Sequence, residues 1–139
     1  MGSTLNENPR SILVVDDDAH VVEFLRLALE QQGYQPTVRR DPQMALDWVA
    51  GAQPPPDVAL VDFLMPRMTG LELAGKLREL VPGLPLILLT GSIMVPDLVR
   101  LQTLQPCRIM QKPFRLPELG NTIESFFPAR DPARLAGPG

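Results

Sequence analysis

Five side chains have the types and the placement to hold a divalent metal and move a phosphoryl group: Asp16, Asp17, Asp62, Thr90 and Lys112. Each follows or ends an apolar run that reads as a buried strand. Asp16-Asp17-Asp18 follow Ile12-Leu13-Val14-Val15, and Asp62 follows Val58-Ala59-Leu60-Val61. Thr90-Gly91 follow Leu86-Ile87-Leu88-Leu89, and Lys112-Pro113 follow Cys107-Arg108-Ile109-Met110-Gln111. A charge set where a buried strand stops costs free energy unless something beyond the sheet uses it.

Three carboxylates brought together repel one another, which raises the pKa of at least one member. A hard divalent cation relieves that repulsion, and oxygen ligands with room for water suit Mg²⁺ better than a dedicated Ca²⁺ cage. A carboxylate such as Asp62 can attack phosphorus to form an acyl phosphate. Such a transfer needs positioning and charge neutralisation more than covalent help. Lys112 supplies a mobile point charge, and the Thr90 hydroxyl can donate to a phosphoryl oxygen. The plain alternative is an ion pair, Asp62 with Lys112, that only ties strand ends. Buried ion pairs are weak stabilisers, and the joint placement of acids, hydroxyl and ammonium at one edge favours chemistry.

The elements that must position these groups alternate along the chain. Strands are expected near 11–15, 35–39, 57–61, 85–89 and 107–111, and helices near 19–32, 42–50, 70–80, 96–104 and 116–127. Val21, Leu25, Ala28 and Leu29 share one helical face, as do Leu116, Leu119, Ile123, Phe126 and Phe127. Gly33 is placed to end the first helix and Pro96 to begin the fourth. Four strands lack polar alternation, which predicts a parallel sheet covered on both faces. The second, Gln35-Pro36-Thr37-Val38-Arg39, is polar and reads as an edge strand. The expected fold is therefore α/β: a doubly wound five-stranded parallel sheet with helices on both faces, of flavodoxin-like type. Such sheets bind ligands beyond the carboxyl ends of their strands, where strand order reverses.

Bulk properties narrow the function classes. A chain of 139 residues, 45% hydrophobic and 21% charged, fits one domain. A net charge of −3 gives no basic field for nucleic acid. No apolar run is long enough to span a bilayer, and the amino terminus lacks the pattern of a signal peptide. Met1-Gly2-Ser3 is not a myristoylation signal, because Asn6 stands where Ser or Thr is needed. Cys107 is the only cysteine, so a disulfide framework is excluded and a cytoplasmic location is expected. Residues 1–9 and 128–139 are expected to be flexible segments flanking a domain at 10–127.

The motifs resemble those of the receiver domain of bacterial two-component response regulators, over roughly residues 10–127. The matching pieces are Ile12 through Asp18, Pro56 through Asp62 with Pro66 and Gly70, Leu88-Leu89-Thr90-Gly91, and Lys112-Pro113-Phe114. The resemblance implies that Asp62 accepts a phosphoryl group from a sensor histidine kinase or a histidine phosphotransfer protein. It implies Mg²⁺ held by Asp16, Asp17, Asp62 and the Leu64 carbonyl, with Asp17 direct and Asp16 largely through water. Thr90 and Lys112 would contact phosphoryl oxygens, and Gly91 would keep the site open. Catalysis would be limited to slow self-catalysed phosphotransfer and dephosphorylation.

Two positions depart from the family's pattern. Ile109 stands three residues before Lys112, where the family usually carries a switch aromatic, and Gln105-Pro106 replace a Gly-Ala pair. Both fall on the face of the fourth helix, fifth strand and fifth helix, where many receivers dimerise or dock partners. Ordinary phosphorylation with atypical output is expected, with an unidentified output protein or a second copy as partner. Ile109 also keeps open a pseudo-receiver acting purely as an adaptor. An aspartyl-nucleophile phosphatase is disfavoured by Leu64, where such enzymes need a second acid. A flavin carrier is disfavoured by the acids after the first strand. Gly75 reads as a point of close helix packing, His20 as a solvated first-turn residue, and Trp48 as partial packing.

Overall fold

The structure, a computed structural model, describes residues 9–91 and 95–127. Five strands alternate with five helices: β1 (Ser11–Val15), α1 (Ala19–Gln31), β2 (Gln35–Arg39), α2 (Pro42–Gly51), β3 (Val58–Asp62), α3 (Gly70–Leu80), β4 (Leu86–Thr90), α4 (Val95–Gln102), β5 (Cys107–Gln111) and α5 (Leu116–Glu124). All four strand pairings are parallel, in the order β2-β1-β3-β4-β5. This is the doubly wound arrangement the sequence predicts.

Local chemistry sets where the helices start and stop. Asp18 caps α1, accepting from the backbone N–H of His20 at 2.8 Å and of Val21 at 3.3 Å. Gly33 follows α1 at φ 92°, a left-handed conformation that glycine adopts without penalty. Asp41 caps α2 ahead of Pro42, and Thr69 with Glu72 forms a reciprocal capping box at α3.

Alternate residues of the buried strands feed two core layers. Leu13, Val15, Ala59, Val61, Leu86 and Leu88 pack with Ala45, Val49, Leu73, Ala74, Leu77 and Leu101 from α2, α3 and α4. Ile12, Val14, Val58, Leu60, Ile87 and Leu89 pack on the opposite face with Val22, Leu25 and Leu29 of α1 and Leu119 and Ile123 of α5. Burying each of the Val, Leu and Ile side chains among them contributes roughly 1.5–3 kcal/mol. Val22 is the buried member of the first turn of α1, and Val21 only flanks the core.

Several expectations are corrected. β3 and β4 each begin and end one residue later than expected, so Asp62 and Thr90 are the last rungs of their strands. Main-chain pairing explains this: Asp62 registers with Leu89, the Phe63 N–H donates to the Leu89 carbonyl at 2.8 Å, and Thr90 registers with Gln111. Backbone pairing is indifferent to side-chain polarity at an edge that opens to solvent. β5 is a second edge strand, with Cys107 and Met110 buried but Ile109 exposed. An open sheet has two edges, and only the polar one is visible in the sequence.

α5 stops at Glu124. Phe126 and Phe127 lie beyond it beneath the guanidinium groups of Arg108 and Arg10, at 4.6 and 3.8 Å from the ring centres. Gly75 marks no close packing, since a Cβ there meets nothing within 4 Å. The loop before β5 is held by Arg78, which donates to the carbonyls of Leu104, Gln105 and Pro106. Residues 1–8 and 128–139, expected to be flexible, lie outside the described residues, and no described helix is long and apolar enough to cross a membrane.

Candidate functional site

The sheet order places β1 and β3 side by side, with the chain leaving them in opposite directions toward β2 and β4. Asp16, one residue past β1, and Asp62, the last residue of β3, thus flank the point where strand order reverses. Ligands of such sheets bind there. One carboxylate oxygen from each of Asp16, Asp17 and Asp62 lies within 4.8 Å of the others. The five residues singled out by their spacing gather at this carboxyl edge.

Lys112 closes the group. Its Nζ donates to Asp62 Oδ1 at 3.0 Å and to Asp16 Oδ2 at 3.2 Å. The Lys112 N–H also donates to the Thr90 carbonyl at 2.7 Å, tying the ends of β4 and β5 together. The Lys112–Pro113 bond is cis. Asp16 is 1% exposed, Thr90 3% and Asp62 8%, whereas Asp17 faces solvent. The other oxygen of Asp16, Oδ1, accepts the Asp18 N–H at 2.9 Å. Both oxygens of Asp16 are thus engaged, whereas the Asp17 carboxylate is open to solvent.

Electrostatics are unequal across the site. Burial pushes the Asp62 carboxyl above the usual range; the Lys112 hydrogen bond opposes this, and the charges of Asp16 and Asp17 reinforce it. Burial alone would lower the Lys112 ammonium, but its bond to Asp62 and the charges of Asp16 and Asp62 outweigh that and hold it above its ordinary value. Three carboxylates against one ammonium leave an excess of negative charge at a site built of oxygen donors. That donor set fits a hard divalent cation.

Two glycines serve the site differently. Gly70 lies against the backbone of Asp62, and its N–H donates to the Phe63 carbonyl at 2.8 Å. Among the described residues, no atom lies within 4 Å of where a Gly91 Cβ would stand. Leu64, two residues after Asp62, turns its side chain to solvent. His20 is fully exposed and Trp48 packs at the core margin, as expected. Sequence reasoning missed Arg40, Asp41 and Arg67. Arg40 donates to the Asp17 carbonyl, and Arg67 pairs with Asp41. The available signal was position: Arg40 and Asp41 follow β2 at the same carboxyl edge.

Comparison with known proteins agrees with this geometry. A profile of the response regulator receiver domain matches residues 12–124. Response regulator MprA of Mycolicibacterium vanbaalenii is 39% identical over 111 residues, covering 80% of this chain and 47% of the relative. The probable transcriptional regulatory protein TcrX of Mycobacterium tuberculosis is 35% identical over the same shares. The chain thus spans about half the length of these curated relatives.

Among solved structures, a CheY-like receiver domain protein from Methanospirillum hungatei superposes with a TM-score of 0.79 at 27% identity, covering 86% of this chain and 94% of that one. Chemotaxis protein CheY4 of Vibrio cholerae shares the fold at TM-score 0.79 and 24% identity, covering 86% and 99%. The clustered acids are of the type used in phosphoacceptor signalling, and such a site supports weak, self-catalysed phosphotransfer and dephosphorylation. By profile, sheet order and clustered acids together, the chain belongs to the response regulator receiver domain family of bacterial two-component signalling.

Proposed function

We propose that Asp62 accepts a phosphoryl group from the phosphohistidine of a sensor kinase or a histidine phosphotransfer protein, and that the modified domain changes its binding partners. The observation that carries this reading is the Lys112 ammonium bridging Asp62 and Asp16, with the Asp17 carboxylate close by. An Asp62 oxygen attacks phosphorus as the bond from phosphorus to the donor nitrogen breaks, and that electron pair returns to the imidazole. Lys112 already donates to Asp62 and needs only a small shift to meet the incoming phosphoryl oxygens. Thr90, at the end of the neighbouring strand, is the hydroxyl donor to a second oxygen. Asp16, Asp17, Asp62 and the Leu64 carbonyl would hold Mg²⁺, which neutralises charge on the transferring group when bound.

A protein donor must press against the rim of this site. Beside Lys112, an apolar groove of about 400 Å³ runs between Val21 and Phe24 of α1 and the Pro113-Phe114 turn. Phe24 is 52% exposed there, a wall suited to an apolar partner surface. For output, a second copy or an unidentified protein engages the β5 edge, where Ile109 is exposed. That same exposed, ringless residue supports the second reading, an adaptor working by contact with atypical switching. A cytoplasmic location belongs to the proposal, in keeping with the free, buried Cys107.

Acetyl phosphate with Mg²⁺ should label the protein at one acid-stable, base-labile position, mapped by mass to Asp62 and lost in Asp62→Asn. Labelling that survives this substitution would move the nucleophile elsewhere.

A further inference from the structure

Two consecutive residues of the β2–α2 loop reach the two loops that carry the acids. Arg40 donates from Nε at 3.3 Å and from Nη2 at 3.2 Å to the main-chain carbonyl of Asp17. Asp41 Oδ1 accepts from Arg67 Nη2 at 2.6 Å, while its Oδ2 accepts the Met44 N–H and caps α2. Arg67 lies at φ 71°, a left-handed conformation that residues bearing a Cβ rarely adopt, in the loop that follows Asp62. Behind Arg40, the Asp16 N–H donates to the Arg39 carbonyl at 3.3 Å, extending the β1–β2 pairing past Val15.

We propose that Arg40 and Asp41 form a strap that sets the spacing between Asp17 and the loop after Asp62, and are positioning residues for divalent-metal binding. The inference rests on the phosphoacceptor reading above. Holding the Asp17 carbonyl restricts how far the Asp17 backbone can swing, and hence where its exposed carboxylate can meet a metal. Fixing Arg67 holds the loop that contains Leu64. Groups that orient ligands without touching the metal have measurable effects on affinity.

Charge and geometry predict opposite signs, which makes the strap testable. Arg40 and Arg67 are cations at the rim of a negatively charged site. Deleting a cation by itself strengthens the attraction for Mg²⁺. Deleting a fastener weakens Mg²⁺ binding. Mg²⁺ would be titrated calorimetrically into the full chain as wild type, Arg40→Met, Arg67→Met and Arg40→Lys, with urea unfolding of each metal-free protein.

The expected result is a dissociation constant about three- to tenfold higher in both Met variants, at or below the low end for groups that orient ligands. Arg40→Lys should fall between, since an ammonium can keep one of the two bonds to the Asp17 carbonyl. Metal-free urea midpoints should stay near wild type, and labelling by acetyl phosphate should recover at saturating Mg²⁺. Unchanged or tighter binding overturns the strap and leaves the metal site standing. A loss of metal-free stability that tracks the loss of affinity makes the residues merely structural and also overturns it. A wild type that takes up no Mg²⁺ overturns the phosphoacceptor reading and the strap together.

Discussion

Gly70 sits so close beneath Asp62 that a Cβ added to it would lie 2.4 Å from the Asp62 carbonyl oxygen and 2.8 Å from the Phe63 Cα. The first residue of α3 therefore packs directly on the main chain at the end of β3. Both obstacles are backbone and cannot swing aside. Gly70→Ala is expected to push the end of β3 away from α3 and cost about 1–3 kcal/mol, the usual range for overpacking. Urea unfolding would show the loss. Labelling of Asp62 by acetyl phosphate would slow as well, because the displaced atoms belong to the nucleophile's own residue.

Asp62 has a pKa raised in the folded state, chiefly by burial. Folding thus favours its protonated form, and the stability this contributes is lost as pH rises through the raised value. Asp62→Asn removes that penalty. Metal-free Asp62→Asn should melt above wild type near neutral pH, with the gap closing as pH falls below the ordinary carboxylate value of 3.8. Mg²⁺ should reverse the order by stabilising the wild type, by about 1.4 kcal/mol at ten times its dissociation constant. Thermal melts across pH, with and without Mg²⁺, check both signs.

Gly75 lies inside α3, where an added Cβ would meet nothing within 4 Å. Glycine in a helix interior costs about 1 kcal/mol relative to alanine. Gly75→Ala is expected to stabilise the domain by about that amount, read from the urea midpoint, with no change in Asp62 labelling. A destabilised variant would show that some motion brings a neighbour against this position.

Ile109 registers with Leu88 on the outer strand β5 and is 38% exposed. Lys112 lies three residues further on, with its ammonium on Asp62. Ile109→Tyr adds a ring and a hydroxyl at the sheet edge without touching the acids. It should alter phosphorylation-dependent partner binding several-fold while the labelling rate stays near wild type. An unchanged affinity, measured with and without acetyl phosphate, would show that this position does not carry the output.

The sheet was legible because its strands are continuous apolar runs that end in polar residues. Ile12 through Val15 and Val58 through Val61 must be buried on both faces, and only a covered parallel sheet does that. The acids were legible for the converse reason: a buried strand tolerates Asp16 or Asp62 only where it opens to a site. Strand ends were off by one at Asp62 and Thr90, because main-chain pairing with Leu89 and Gln111 carries no side-chain signature. The exposure of Ile109 has no signature in its own apolar type; it follows from the strand order that makes β5 an edge.

The order of residues along the chain alone singled out the polar groups and determined that they stand at strand ends. Tertiary structure alone decided the surroundings of each group. It buried Asp16 and left Asp17 in solvent, and it set one ammonium between Asp16 and Asp62. It also brought Arg40 and Asp41 across to the loops of both acids. These are contacts between residues far apart in sequence, so no local pattern encodes them. They exist because parallel pairing brings the carboxyl ends of separate strands to one edge.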